Sequence, residues 1–137
     1  MEVKQGKPDI HHYGRKLDWA RRALEKEAFE ARDRLLIREF VDFVEADGVS
    51  PGRLTKYCYT LMVIRRQMSC NFEALDRAEA ERLMRWINGS DYKAWTKSDL
   101  KGALKRFMKW VRLRNLDNFL PFPPEVAWIR TTRVVSS

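Results

Sequence analysis

The sequence predicts an all-α protein, a bundle of four main helices with or without a further helix at the N-terminus. Three observations predict it. Apolar residues recur three and four apart in successive segments, the spacing of one helical face. The six glycines and five prolines of the 137 residues fall mostly between those segments rather than within them. β-Branched residues are scattered instead of alternating with polar ones, so no strand pattern emerges. The chain is 45% hydrophobic, and five Trp and seven Phe supply bulky core residues, enough for one packed domain.

Residues 1–14 carry no periodicity and read as a mobile leader. Leu17, Ala20, Leu24 and Ala28 mark a weak first helix. Leu36, Phe40, Phe43 and Val44, with Leu35 and Ile37 nearby, mark a stronger second one. The pattern allows either a break near residues 28–32 or one continuous helix. Asp47-Gly48 stops this region. Ser50-Pro51 then opens a third segment, with Ser as N-cap and Pro at the first helical position; Leu54, Tyr57, Cys58, Leu61, Ile64 and Met68 share its apolar face. Asp76 and Glu79 have the spacing of a capping box for a helix whose core residues are Ala80, Leu83, Met84, Trp86 and Ile87, ended by Asn88-Gly89-Ser90. Thr96 is the expected cap of a last long helix, with Asp99 near its positive end. Pro121-Phe-Pro-Pro124 breaks any helix, and Glu125–Ile129 forms a short apolar segment. The helical domain is thus expected over residues 15–120, with a Pro-rich segment and the start of a linker over 121–137.

The net charge is +8, and it is unevenly placed. Residues 1–47 hold 10 Lys/Arg against 11 Asp/Glu, a balance of −1, whereas residues 48–137 hold 17 against 8, a balance of +9. Such asymmetry predicts one basic surface. It concentrates in residues 93–114, where eight basic residues stand against the single acid Asp99. Lys97, Lys101, Lys105 and Lys109 recur every four residues along one side, and Arg112 falls with them, while Leu100, Ala103, Leu104, Phe107, Trp110 and Val111 take the other. Like charges four apart repel, so the ladder does not serve the helix's own stability; an external polyanion is the simplest compensation, and double-stranded DNA is the expected partner. Lys97, Lys101, Lys105, Lys109 and Arg112 are expected on phosphates, with Ser98, Lys101 and Arg106 available for bases. Arg53, Lys56 and Thr60, with Tyr59 beside them, form a second candidate surface on the Ser50–Met68 helix. The competing reading is a solvated helix face, but such faces normally carry interleaved acids that this one lacks.

Catalytic and metal chemistry find no foothold. The acidic residues are dispersed, with neither an acid–base pair nor a metal cluster, so no cofactor is expected. Cys58 lies on an apolar face and reads as a buried thiol, Cys70 as a loop residue. Tyr57, Tyr59 and Tyr92 have no activating set, and Tyr57 reads as core. His12-Tyr-Gly-Arg15 matches His-x-x-Arg, a pattern chance readily provides in a leader. The N-terminus lacks a signal-peptide core and no run of 18 apolar residues occurs, so the expectation is a soluble cytoplasmic chain with no membrane partner, monomeric by itself.

The order of these motifs resembles one family. Gly48-Val-Ser-Pro-Gly-Arg-Leu-Thr-Lys-Tyr57 is similar to the G-[LV]-S-x-x-T-x-x-x-Y opening of the core-binding domain of tyrosine recombinases, the phage integrase family. Leu104-Lys-Arg-Phe-Met-Lys-Trp110 is similar to the L-x-x-F-Y-x-W of that domain's last helix. Trp86-Ile-Asn, Asp91-Tyr-Lys-Ala-Trp-Thr-Lys97 and Pro124-Glu-Val-Ala-Trp-Ile129 resemble archaeal members most. The likeness spans roughly residues 32–133 and departs at the motif's Thr, where Arg53 and Leu54 precede Thr55. It implies an orthogonal, SAM-like bundle forming one jaw of a clamp on DNA, with the Ser50–Met68 and Thr96–Arg114 helices facing the duplex. It also implies a separate C-terminal catalytic domain carrying the family's Arg, Lys, His-x-x-Arg and nucleophilic Tyr, none of which this chain is expected to supply. The expected function is therefore DNA holding in integration and recombination, without catalysis. The alternatives are a protein-interaction bundle, its ladder docking an acidic partner, and a stand-alone helix-turn-helix regulator.

Overall fold

A computed structural model describes residues 13–114 and 122–131, and all regular structure among them is helical. Six α-helices follow in order: α1 (Tyr13–Glu25), α2 (Ala31–Ala46), α3 (Pro51–Gln67), α4 (Arg77–Asn88), α5 (Ala94–Leu113) and the single turn α6 (Pro124–Ala127). A 3-10 turn over Phe72–Ala74 joins α3 to α4. The extra N-terminal helix is therefore present as α1, and the bundle is all-α as expected. The leader expected over 1–14 lies outside the described residues apart from Tyr13 and Gly14, which begin α1. No described helix is long and apolar enough to cross a membrane.

The break between α1 and α2 has a local cause. The chain turns away after Glu25, and Arg34 Nη1 donates to the freed carbonyls of Glu27, at 2.9 Å, and Phe29. A side chain from the next helix thus satisfies backbone groups that a continuous helix would have paired internally. At its other end α2 closes on Asp47, with Gly48 at φ +93°. Gly48 N donates to Glu45 O at 3.0 Å and Val49 N to Val44 O at 3.1 Å, the paired bonds of a Schellman stop that favours glycine at this position.

Two expected caps are revised. Ser50 occupies the N-cap of α3 but makes no side-chain cap bond; Pro51, with its fixed φ and missing N–H, sets the start instead. Helix α5 begins at Ala94, two residues before Thr96, with Lys93 at the N-cap and no side-chain cap. At α4 the Asp76 carboxylate does accept from Glu79 N at 2.9 Å, but Glu79 does not return the bond. It accepts instead from Ser69 N at 2.7 Å and from Arg82 Nε at 2.9 Å, tying α4 to the end of α3. The Pro121–Pro124 run, expected only to break helices, places Pro124 at the first position of α6.

Helix α3 runs through the middle and packs on α1, α2 and α5, while α4 and α6 pack on α5. The core joins an aromatic cluster from three helices and the 3-10 turn. Phe40 meets Phe107 edge-on at 5.3 Å and Tyr57 at 5.5 Å, and Phe72 meets Phe107 at 4.6 Å. The fully buried Phe40, Phe72 and Phe107 each contribute about 1.5–3 kcal/mol. Segment 122–131, expected to open a linker, packs on this body: Val126 and Ile129 are buried, and the Arg77 guanidinium lies 4.0 Å from the Trp128 ring.

One polar pair is sealed inside. Asp33 is 0% exposed, and its carboxylate accepts from Arg65 Nε at 2.5 Å and from Phe72 N at 3.3 Å. Arg65 Nη1 also donates to Met68 O at 3.4 Å, and the guanidinium lies 5.4 Å from the Phe29 ring. Burial pushes the Asp33 carboxyl up, and Arg65 and the Phe72 N–H pull it back.

Asp33→Ala is expected to cost about 3–5 kcal/mol in urea denaturation, because it strands the Arg65 charge; replacing both partners by apolar residues of similar volume is expected to cost far less. Glu79 is held down to about 2, first by the Arg82 hydrogen bond and then by the Ser69 N–H. Its folded-state value lies below the unfolded one, so its stabilisation is complete above the ordinary carboxylate range and is lost as pH falls through about 2. The stability gap between wild type and Glu79→Gln should therefore be about 2–3 kcal/mol at pH 6 and shrink toward zero near pH 2.

Candidate nucleic-acid interface

The basic surface is built on α5, with α3 alongside. A step of four residues advances about 40° around a helix of 3.6 residues per turn, so the four lysines spiral through about 120° from Lys97 to Lys109. The spiral sends them to different neighbours. Lys97 Nζ donates to Asn88 O at 3.0 Å, at the end of α4. Lys101 is half-buried and has no side-chain partner among the described residues. Lys105 Nζ donates to Ile129 O at 3.0 Å and lies 4.6 Å from the Phe122 ring. Lys109 Nζ lies 4.5 Å from the same ring. None of the four ladder lysines has a carboxylate partner among the described residues, so their charge is uncompensated within the described protein.

Two clefts flank the crest of α5. The first, of about 430 Å³, lies between α2 and α5; Lys105, Arg106 and Lys109 supply its positive charge against the single acid Asp47, and Phe43, Trp110 and Phe122 its apolar wall. The second, of about 250 Å³, lies between α3 and α5; Arg53, Lys56, Tyr57, Thr60 and Ser98 line it, with Asp99 as its one acid. Gly102 and Thr131 line both, so the two form one continuous basic seam. Seven of the ten residues expected at the interface line this seam: Arg53, Lys56, Thr60, Ser98, Lys105, Arg106 and Lys109.

The seam is held open by polar contacts. Lys56 Nζ pairs with the Asp99 carboxylate at 2.6 Å, joining α3 to α5, so its charge is partly spent. Arg106 Nη1 donates to the Tyr57 hydroxyl at 3.1 Å, and its Nη2 stands 3.7 Å from the Asp47 carboxylate. Arg53 and Arg106 lie 6.0 and 5.7 Å from the Tyr57 ring, so one tyrosine steadies both guanidinium groups. Ser98 Oγ donates to Thr131 O at 2.6 Å, which makes it a tether for segment 122–131.

Arg112 departs from expectation. Its guanidinium donates to Glu125 at 2.6 Å, Glu73 O at 2.8 Å and Leu75 O at 2.9 Å. It therefore joins α5, α6 and the 3-10 turn, away from the seam. Its last-turn position brings it to acceptors that helical spacing alone does not reveal. Tyr57 also differs: its ring packs in the core, but its hydroxyl reaches the seam. Phe43, grouped by periodicity with the core of α2, is 40% exposed and walls the first cleft. Tyr57, Phe43, Gly102, Asp47, Phe122 and Thr131 are seam residues that sequence reasoning missed, because helical spacing does not show which side chains meet across helices.

The remaining reactive groups lie elsewhere. Cys58 is buried, its thiol pushed up to about 11 by burial, and it donates to Ala20 O at 3.6 Å. Cys70 is half-buried and raised in the same direction by burial. His12 lies outside the described residues. Among the described residues no cluster of His, Cys, Asp or Glu converges on a point where a metal would sit. No profile of a known protein family, no curated protein and no solved structure matches the chain.

Arg112→Ala is expected to lower stability by about 2 kcal/mol, through two unpaired carbonyls and the isolated Glu125, in thermal denaturation at neutral pH. Arg112→Lys should recover only part of this, because an ammonium cannot span the same three acceptors.

Proposed function

We propose that this chain binds duplex DNA through the α3–α5 seam. It would act as a holding module for a strand-cleaving domain carried elsewhere, as in the core-binding domains of tyrosine recombinases that its motifs resemble. One observation carries the reading. The ladder lysines of α5 have no carboxylate partner among the described residues, and Ser98, Lys105, Arg106 and Lys109 of that helix share a continuous seam with Arg53 and Thr60 of α3. A duplex carries one negative charge per about 1.7 Å of axis, so a helix of 20 residues, about 30 Å long, meets many phosphates. Lys101, Lys105, Lys109, Arg53 and Arg106 neutralise phosphates in this reading, with Thr60 an uncharged donor beside them, while Ser98 holds segment 122–131 in place. Lys97 and Lys56 contribute once they leave Asn88 and Asp99. Arg112 takes no part.

The proposed module leaves catalysis, and any cofactor catalysis requires, to the separate domain, and works in the cytoplasm where DNA is accessible. A half-clamp of this kind binds weakly by itself, in the roughly 10⁻⁴–10⁻⁶ M range of non-specific contacts. The two rivals are distinguished by the same measurements. A helix-turn-helix regulator uses a short recognition helix, against the 20 residues of α5. An interaction bundle would bind an acidic protein and leave DNA free.

Fluorescence anisotropy with a labelled duplex across a salt series tests the reading. Each phosphate contact adds about −0.9 to the log–log slope, so Lys101→Ala/Lys105→Ala should flatten it by about 2, and Arg112→Lys should leave it unchanged. An unchanged slope in the double variant removes the ladder from the interface; retention on an acidic protein with no DNA binding favours the interaction bundle.

A further inference from the structure

Gly102 stands in the interior of α5, well over a turn from either end of the helix Ala94–Leu113. A glycine there weakens a helix relative to alanine, because it orders the most flexible backbone and adds no side chain. Packing usually explains such a residue, where a neighbouring element comes too close for a Cβ. Here it does not: among the described residues a Cβ at Gly102 would meet no atom within 4 Å beyond its chain neighbours and the backbone of its own helix. Nor does backbone conformation explain it, since Gly48 is the positive-φ glycine. The space is open, and its position is particular. Gly102 lines both clefts, and its neighbours three and four residues away are Ser98, Asp99, Lys105 and Arg106. The surface is therefore lowest where the two halves of the seam meet, with cationic groups on either side.

We infer that Gly102 is the point of closest approach of the DNA, where the sugar–phosphate backbone of one strand crosses α5 between Arg53 and Thr60 on one side and Lys105 and Arg106 on the other. The missing Cβ lets a phosphodiester sink toward the helix, within reach of both sets of donors at once. A side chain at this position would hold the strand away and force it to choose one set. Gly102 is on this account a positioning residue, retained for the partner at the expense of the helix. The inference rests on the DNA-binding reading and adds the path of the strand.

The test uses Gly102→Ala and Gly102→Gln, both compatible with a helix, with two readouts. Thermal denaturation of the free protein should show Gly102→Ala melting about 3–5 °C higher than wild type, because the helix gains and nothing clashes. Anisotropy with a fluorescein-labelled duplex at low salt should show the same variant binding about tenfold more weakly, as for loss of one charged hydrogen bond, and Gly102→Gln more weakly still. Opposite signs in the two readouts support the inference. A higher melting temperature with wild-type DNA affinity overturns it and leaves the DNA-binding reading standing. A lower melting temperature also overturns it, because the glycine would then serve the fold. Failure of the wild type itself to bind the duplex removes the DNA-binding reading and this inference together.

Discussion

The Asp33–Arg65 pair is the constraint around which the bundle is arranged. A carboxylate with no exposure to solvent is tolerable only if its charge is matched and its oxygens are hydrogen-bonded, and both conditions are met by elements distant in sequence. Arg65 comes from the last turn of α3, and the Phe72 N–H from the 3-10 turn. The pair therefore fixes how α2 sits on α3 and how the chain leaves α3. Phe72 is thereby delivered to Phe107, and α5 is seated through that contact. An apolar core could supply comparable stability, but the pair can be satisfied in only one arrangement, so it narrows the packings available.

The basic excess divides into two populations with different work. One is spent inside the protein. Arg34 closes the α1–α2 break, Arg66 pairs with Glu27, Arg82 with Glu79, and Arg112 joins three elements at the end of α5. These guanidinium groups each span several acceptors, which a planar five-donor group does well. The other population is mostly lysine and gathers on the outward side of α5, where no carboxylate meets the ladder among the described residues. Lysine suits a surface that holds a mobile polyanion, because its charge is compact and its stem flexible. The division of labour between arginine and lysine thus follows the division between internal joints and external surface.

Segment 122–131 belongs to both populations. Its apolar side, Val126 and Ile129, is buried against the bundle, while its carbonyls at Ile129 and Thr131 accept from Lys105 and Ser98. The Phe122 ring sits beside two ammonium groups. The segment consequently forms one rim of the basic seam and holds two of its residues in place. Neither the proline run nor the short apolar segment announces this role, because each is defined by partners on α5 far away in sequence.

Much of the architecture was legible in the chain. The helical spacing of Leu54, Cys58, Leu61 and Ile64, the stop at Asp47-Gly48 and the Asp76–Glu79 start are local patterns, and local patterns depend on backbone geometry that a few neighbouring residues determine. The concentration of lysines on α5 was legible for the same reason. Where side chains travel was not. Asp33 looks like any acid at the start of a helix, Arg112 like a further member of the ladder, and Tyr57 like a core residue. Their roles depend on which distant groups arrive beside them. The helices, their apolar faces and the sign of the surface charge follow from spacing and composition, which the chain carries locally. Which cations are consumed by internal acceptors, and that an open-sided glycine lies where α3 and α5 share a seam, emerge from packing between segments far apart in the chain, which no local pattern encodes.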